Sequence, residues 1–173
     1  MLRILSVISI ISSCFNQSEA QNKEELIETY LNKLAVEESF QQEDINNWTI
    51  TDWHLDRRNG ITHVYISQKL NGIRIENSHG NIAIKNNKIR YFGNQLIRNI
   101  NNNAPAAQPG LSPESAITIA SGILQLPSPN GLELEKKLSD TKWLYTDSGI
   151  SLEAIPVELL YFYTKNGQMK LVW

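Results

Sequence analysis

Asn71-Gly72 stands between two runs of alternating residues, and it constrains the folding of this chain more than any other pair. Both central residues of a type I′ turn need positive φ, and asparagine followed by glycine meets that need with least strain. Before the pair, Thr62, Val64 and Ile66 alternate with His63, Tyr65 and Ser67, as a half-buried strand requires. After it, Ile73 and Ile75 begin a return strand, and Ile82 and Ile84 alternate with polar neighbours. Asn86-Asn87 turns the chain again into Ile89 and Tyr91. The pattern predicts an antiparallel meander from about Thr62 to Ile97. A further strand, Thr49 to Leu55, precedes it across the Asn59-Gly60 turn.

Around this meander the period changes. Leu26, Ile27, Tyr30, Leu31, Leu34 and Ala35 recur at three- and four-residue steps, predicting one amphipathic helix from Lys23 to about Ser39 whose apolar stripe is core. Arg98 to Gly110, with Asn101-Asn102-Asn103, Pro105 and Pro109, reads as a break that packs no core. Ser112-Pro113 is a helix start, serine as cap and proline at the first helical position. That helix carries Ala116, Ile119, Ala120 and Ile123 and stops at Pro127. Strand-like runs follow at Lys142 to Thr146 and Val157 to Thr164, and Asn166-Gly167 turns into Met169 to Trp173. Leu171-Val172-Trp173 looks like the interior of a hairpin strand. Either the last strand is the C-terminus, or, the reading preferred here, the sequence is a piece of a longer precursor.

The first twenty residues read as a targeting signal. Arg3 gives a positive n-region, Ile4 to Ile11 is mostly apolar, and Ser18-Glu19-Ala20 offers a cleavage site before Gln21. The run is shorter than the ~20 apolar residues a membrane span needs. Cys14 is the only cysteine of the chain and has two readings. Ile11-Ser12-Ser13-Cys14 resembles a lipobox that would anchor the chain to lipid; alternatively Cys14 is a small residue inside a signal later discarded, the reading preferred here. If Ala20 is the cleavage site, the exported chain has no thiol and no disulfide staple.

Chemistry is harder to find. The 16 basic and 18 acidic side chains leave a net charge of −2, too weak a field to hold a polyanion, so nucleic acid is not an expected partner. His54, His63 and His79 form no H-E-x-x-H pattern and fit no common metal spacing. There is no G-x-S-x-G elbow, no phosphate loop and no G-x-G-x-x-G. Glu37-Glu38 and Glu43-Asp44 read as solvated helix or turn surface. Asn47-Trp48-Thr49 is formally a glycosylation sequon. The expectation is a chain with no catalytic, cofactor-binding or metal-binding residues of its own, which acts by binding something.

The segment Thr62-His63-Val64-Tyr65-Ile66-Ser67-Gln68-Lys69-Leu70-Asn71-Gly72-Ile73-Arg74-Ile75, continuing through Glu76-Asn77-Ser78-His79-Gly80-Asn81-Ile82-Ala83-Ile84, resembles the fungalysin/thermolysin propeptide motif. That motif is a strand with an aromatic residue and a glutamine, an Asn-Gly or similar turn, then Asn-small-x-x-Asn before a second strand. Lys85 to Gly93, the Ser-Pro-led helix and the Ile155-Pro156-Val157 strand extend the likeness from Lys23 to Trp173. One departure is His79-Gly80, where the family more often carries an acidic and a bulky residue. The resemblance implies a precursor ordered as signal peptide, propeptide and zinc-dependent catalytic domain. In it the propeptide serves as intramolecular chaperone and inhibitor, its partner is the metallopeptidase catalytic domain, and zinc belongs to that domain.

The resulting expectation is an α+β architecture of cystatin-like or related propeptide-like lobes. Residues 1–20 are a signal peptide, 21–100 a first lobe with an N-terminal helix and antiparallel meander, 101–111 a linker, and 112–173 a second lobe cut short at its C-terminal end. The expected function is that of a secreted metallopeptidase propeptide. Its rivals are a free-standing exported inhibitor or ligand-binding module, and an enzyme with an unrecognised site.

Overall fold

The structure, a computed structural model, describes residues 23–173. The expected signal peptide at residues 1–20, with Cys14, lies outside the described residues.

The amphipathic stripe folds as expected into helix α1, residues 23–38. Its Ile27, Leu31, Leu34 and Ala35 are all buried against Val64, Ile66, Ile82 and Ile84 of the meander. Ser39 takes φ +57°, and the Phe40 N–H reaches back to the Ala35 carbonyl at 3.1 Å. This left-handed cap also inserts Phe40 into the same core. A five-residue helix, α2 (Gln42–Asn46), follows that the sequence pattern did not suggest.

Four strands then run antiparallel: β1 (Trp48–Asp56), β2 (Ile61–Leu70), β3 (Ile73–Lys85) and β4 (Lys88–Gln95). Asn71 and Gly72 take φ +52° and +78°, the positive pair that the turn demanded. Beyond β4 a 3-10 turn (Ile100–Asn103) leads to α3 (Pro113–Ile123), capped by the Ser112 hydroxyl on the Ser115 N–H at 3.2 Å. A small antiparallel sheet comes next, built from β5 (Leu134–Lys137), β6 (Lys142–Tyr145) and β7 (Ile155–Glu158). The hairpin β8 (Leu160–Tyr163) and β9 (Met169–Val172) ends the chain. Helices and strands are segregated, an α+β arrangement.

Three differences from the sequence pattern matter. Val157 to Thr164 is two strands rather than one, because Leu159 is buried and gives its N–H to Thr141 at 2.7 Å, after which the chain changes sheet. β8 then pairs parallel with β3, at Ile75↔Tyr161 and Glu76↔Phe162, so one sheet holds residues from both the 21–100 and the 112–173 segments. Finally, the 98–110 break does pack. Ile100 is buried, Ala104 lies against the cluster of Leu70, Ile75 and Tyr161, and the Pro105 carbonyl accepts the Tyr161 hydroxyl at 3.2 Å. Arg74 of β3 bridges to β7 through Glu158 at 3.2 Å and also pairs with Glu76 at 2.5 Å. Burial opposes its charge, but the two carboxylates outweigh that and hold its pKa above the ordinary guanidinium value.

Candidate functional site: a clamped bulge and an outward apolar helix

The motif segment owes its shape to one residue in β2. Ser67 pairs with His79 and Lys69 with Arg74, so Gln68 alone faces the four residues 75–78 of β3. Such an expanded bulge loses ladder hydrogen bonds, and buried polar groups must find partners elsewhere. The fully buried side chain of Gln68 finds most of its partners outside β3, on α2 and on the chain leaving β4. Its Nε2 donates to the Asp44 carbonyl at 2.6 Å and to the Ile97 carbonyl at 2.8 Å. Its Oε1 accepts the Ile97 N–H at 2.7 Å and the Ser78 hydroxyl. All four hydrogen-bonding positions of the amide are filled, and it pairs with Ile97 as a strand residue would.

Asp44 completes the clamp. It was expected on a solvated surface, but it is only 1% exposed. Its carboxylate accepts the N–H groups of Asn99 at 2.9 Å, Ile100 at 3.0 Å and Gln41 at 3.2 Å. Three backbone donors converge on it because α2 presents its third residue to the chain leaving β4. No sequence signal marked this, since the pairing spans 55 residues. Asn77 takes φ +66° inside the bulge and donates its Nδ2 to the Tyr163 carbonyl at 3.1 Å, tying the motif to β8. Asparagine tolerates this conformation better than most side chains. At Gly80 an added Cβ would lie 2.7 Å from both Ile66 and Phe92. The room a bulkier residue would fill is taken here by those two neighbours.

The face of the meander turned away from α1 carries all three histidines. His54 and His63 are paired across β1 and β2 and stack with centroids 4.9 Å apart, with Tyr65 5.9 Å from His54. His79 lies 3.4 Å from the Ser67 hydroxyl. Among the described residues no three His, Cys, Asp or Glu side chains are close enough to hold a metal ion. Asn81 Oδ1 is buried there without a hydrogen-bond partner among the described residues.

Helix α3 forms the second feature. Its N-terminus is held down by Tyr145, whose hydroxyl donates to Glu114 at 2.6 Å. Burial, then the bond to and charge of Glu114, push the Tyr145 pKa up to about 12, while that bond and the Ser112 hydroxyl hold Glu114 below the usual carboxylate value. The stripe Ala116, Ile119, Ala120 and Ile123 has the spacing of a core face. Instead Ile117 and Ser121 are buried, and Ile119, Ile123 and Leu124 are 48%, 74% and 67% exposed. Two clefts flank the helix, of about 370 and 450 Å³, and both are lined by Ala116, Ala120 and Trp173. Trp173 is fixed by its Nε1 on the Leu111 carbonyl at 2.7 Å and by the Trp143 ring, 4.7 Å away.

Residues 46–96 match the profile of the Fungalysin/Thermolysin Propeptide Motif. The matched span contains Gln68, the bulge and the Asn71-Gly72 hairpin, and its edges fall beside Asp44 and Ile97. The chain is 29% identical over 152 residues to Extracellular metalloproteinase 1 of Trichophyton tonsurans, covering 84% of this chain and 23% of that one. With Extracellular metalloproteinase mep of Aspergillus fumigatus it shares 26% over 170 residues, 93% of this chain and 25% of the relative. With Extracellular metalloproteinase 10 of Coccidioides posadasii the identity is 24% over 125 residues, 72% and 20% respectively. The chain carries a metallopeptidase propeptide motif. It is homologous over much of its length to fungal extracellular metalloproteinases of the fungalysin family, and spans about a fifth to a quarter of the length of these relatives. No described helix is long and apolar enough to cross a membrane.

Proposed function

We propose that this chain is the non-catalytic propeptide region of a secreted zinc metallopeptidase precursor, acting on the catalytic domain as folding assistant and as inhibitor. The observation that carries this reading is the motif at residues 46–96, whose polar residues the fold uses. Gln68 and Ser78 close a buried network with Asp44 and Ile97, and Asn77 ties the bulge to β8. A domain so tightly specified, with no three His, Cys, Asp or Glu side chains placed to hold a metal ion among the described residues, is suited to present a rigid surface. Binding the native-like state of a partner more tightly than its unfolded state shifts its folding by mass action, and covering its cleft blocks substrate. The zinc of such a precursor belongs to the catalytic domain. Export agrees with relatives that are named extracellular metalloproteinases.

The test supplies residues 23–173 in trans to a fungalysin-type catalytic domain from the same organism. Peptide hydrolysis should slow with increasing chain, and the yield of refolded active enzyme should rise. If the folded chain, verified by circular dichroism, neither inhibits nor assists, the reading fails in favour of a free-standing exported inhibitor or ligand-binding module.

A further inference from the structure

Ile119 and Ile123 lie two residues beyond the buried Ile117 and Ser121, about 160° round the helix, so burying them would take nearly a half-turn of α3 and would expose Ile117 and Ser121 instead. The Ser112 cap and the Tyr145–Glu114 bond hold it with Ile117 and Ser121 inside and with Ile119 and Ile123 outside. An apolar ridge maintained against its own burial preference marks an interaction site. We propose that this ridge, Ile119, Ile123 and Leu124 flanked by Leu111 and Leu126, is where the metallopeptidase catalytic domain of the same precursor docks. The inference rests on the propeptide reading above and adds the surface to it.

The chemistry of the ridge selects its occupant. Ile119, Ile123, Leu124, Leu111 and Leu126 carry no charge, and Glu158 is the one charged residue lining either flanking cleft. The partner's face is therefore apolar. Ala116 and Ala120 keep the grooves beside the ridge open, so side chains of the partner can enter between α3 and Trp173.

A second copy of this chain is a poorer fit. A stable dimer face needs roughly 800 Å² per partner, and one 11-residue helix, about 16 Å long, offers a narrow strip. A domain joined covalently needs less, because a tether supplies a high effective concentration. The relatives provide such a domain: the aligned region is only 20–25% of their length. Trp173 lines both clefts, so any polypeptide continuing from it leaves beside the ridge.

The experiment compares wild-type residues 23–173 with Ile123→Asp, Ile119→Asp and the milder Leu124→Gln. Tyr91→Asp, on the opposite kind of surface (the exposed sheet face, 61% exposed), is the control. The readouts are the inhibition constant against the catalytic domain, the urea midpoint and sedimentation. Because the ridge side chains are exposed, the urea midpoints should stay unchanged. The ridge variants should inhibit at least about tenfold more weakly, and the control should stay within about twofold of wild type. Should an aspartate variant unfold, Leu124→Gln decides the outcome. Undiminished inhibition by folded ridge variants overturns the surface while leaving the propeptide reading intact. A wild-type chain that does not inhibit overturns both. A concentration-dependent dimer dissolved by Ile123→Asp overturns the proposal in favour of a second copy.

Discussion

Replacing Gln68 by leucine is the sharpest test of how the motif holds its shape. The side chains are of similar volume, so the change leaves the cavity filled and removes only hydrogen bonds. Four are lost: two from Nε2, to the carbonyls of Asp44 and Ile97, and two to Oε1, from the Ile97 N–H and the Ser78 hydroxyl. The Ser78 hydroxyl can rotate toward another acceptor, and the Asp44 carbonyl sits at the end of a short helix. Ile97 has no such relief. It is 8% exposed, and both of its backbone groups pair with Gln68. Leaving a buried donor or acceptor unpaired costs about 1–3 kcal/mol each. Two such groups amount to about 2–6 kcal/mol, and the gain from burying leucine in place of an amide returns part of this. The expected net loss is about 2–4 kcal/mol, against a total stability of order 5–15 kcal/mol for a domain. Urea unfolding of residues 23–173, followed by circular dichroism, should show a lower midpoint with an unchanged slope. A loss below about 1 kcal/mol would mean that the segment leaving β4 does not depend on the amide, and the clamp would not be what fixes the bulge.

Two further outcomes follow from the geometry. Gly72→Val places a β-branched residue at φ +78° in a turn that needs that conformation; it should cost about 1–2 kcal/mol in the same urea assay and weaken inhibition and refolding assistance together. Burial of the Tyr145 hydroxyl, with its bond to and the charge of Glu114, raises its pKa in the folded state to about 12, above its unfolded value near 10, so keeping it protonated contributes stability below about pH 10 that is lost as pH rises toward 12; thermal melts should show wild type losing more stability than Tyr145→Phe across that window, and parallel losses would refute the linkage.

What the sequence made legible was what short-range chemistry dictates. The α1 stripe, the Asn-Gly and Asn-Asn turns and the Ser-Pro helix start each depend on a few adjacent residues, and each formed as expected. The illegible parts depend on distant partners. Asp44 reads like any surface carboxylate until Asn99 and Ile100 arrive to meet it. Val157 to Thr164 is one apolar run by pattern, and only Leu159 bonding to Thr141 divides it. Which side of α3 is buried was illegible for a related reason. Periodicity says that a helix has an apolar face, but not which element, or which molecule, that face will meet. The glutamine and asparagine of the motif were visible as a resemblance, while their task, tying the bulge to α2, to the chain leaving β4 and to β8, became visible only with those distant partners in place.

The parallel pairing of β8 with β3 also sets an order of events. The meander closes through hairpins of a few residues, which form in microseconds. The Ile75↔Tyr161 pair spans 86 positions, and such long closures are slow because chain entropy is lost before contacts repay it. During synthesis the first part of β3 therefore waits with one hydrogen-bonding edge bare, and Ile73 and Ile75 lack the Leu159, Tyr161 and Met169 side chains that will cover them. A strand edge of this kind is a template on which another chain can pair, and in the folded protein the β8–β9 hairpin is what covers it.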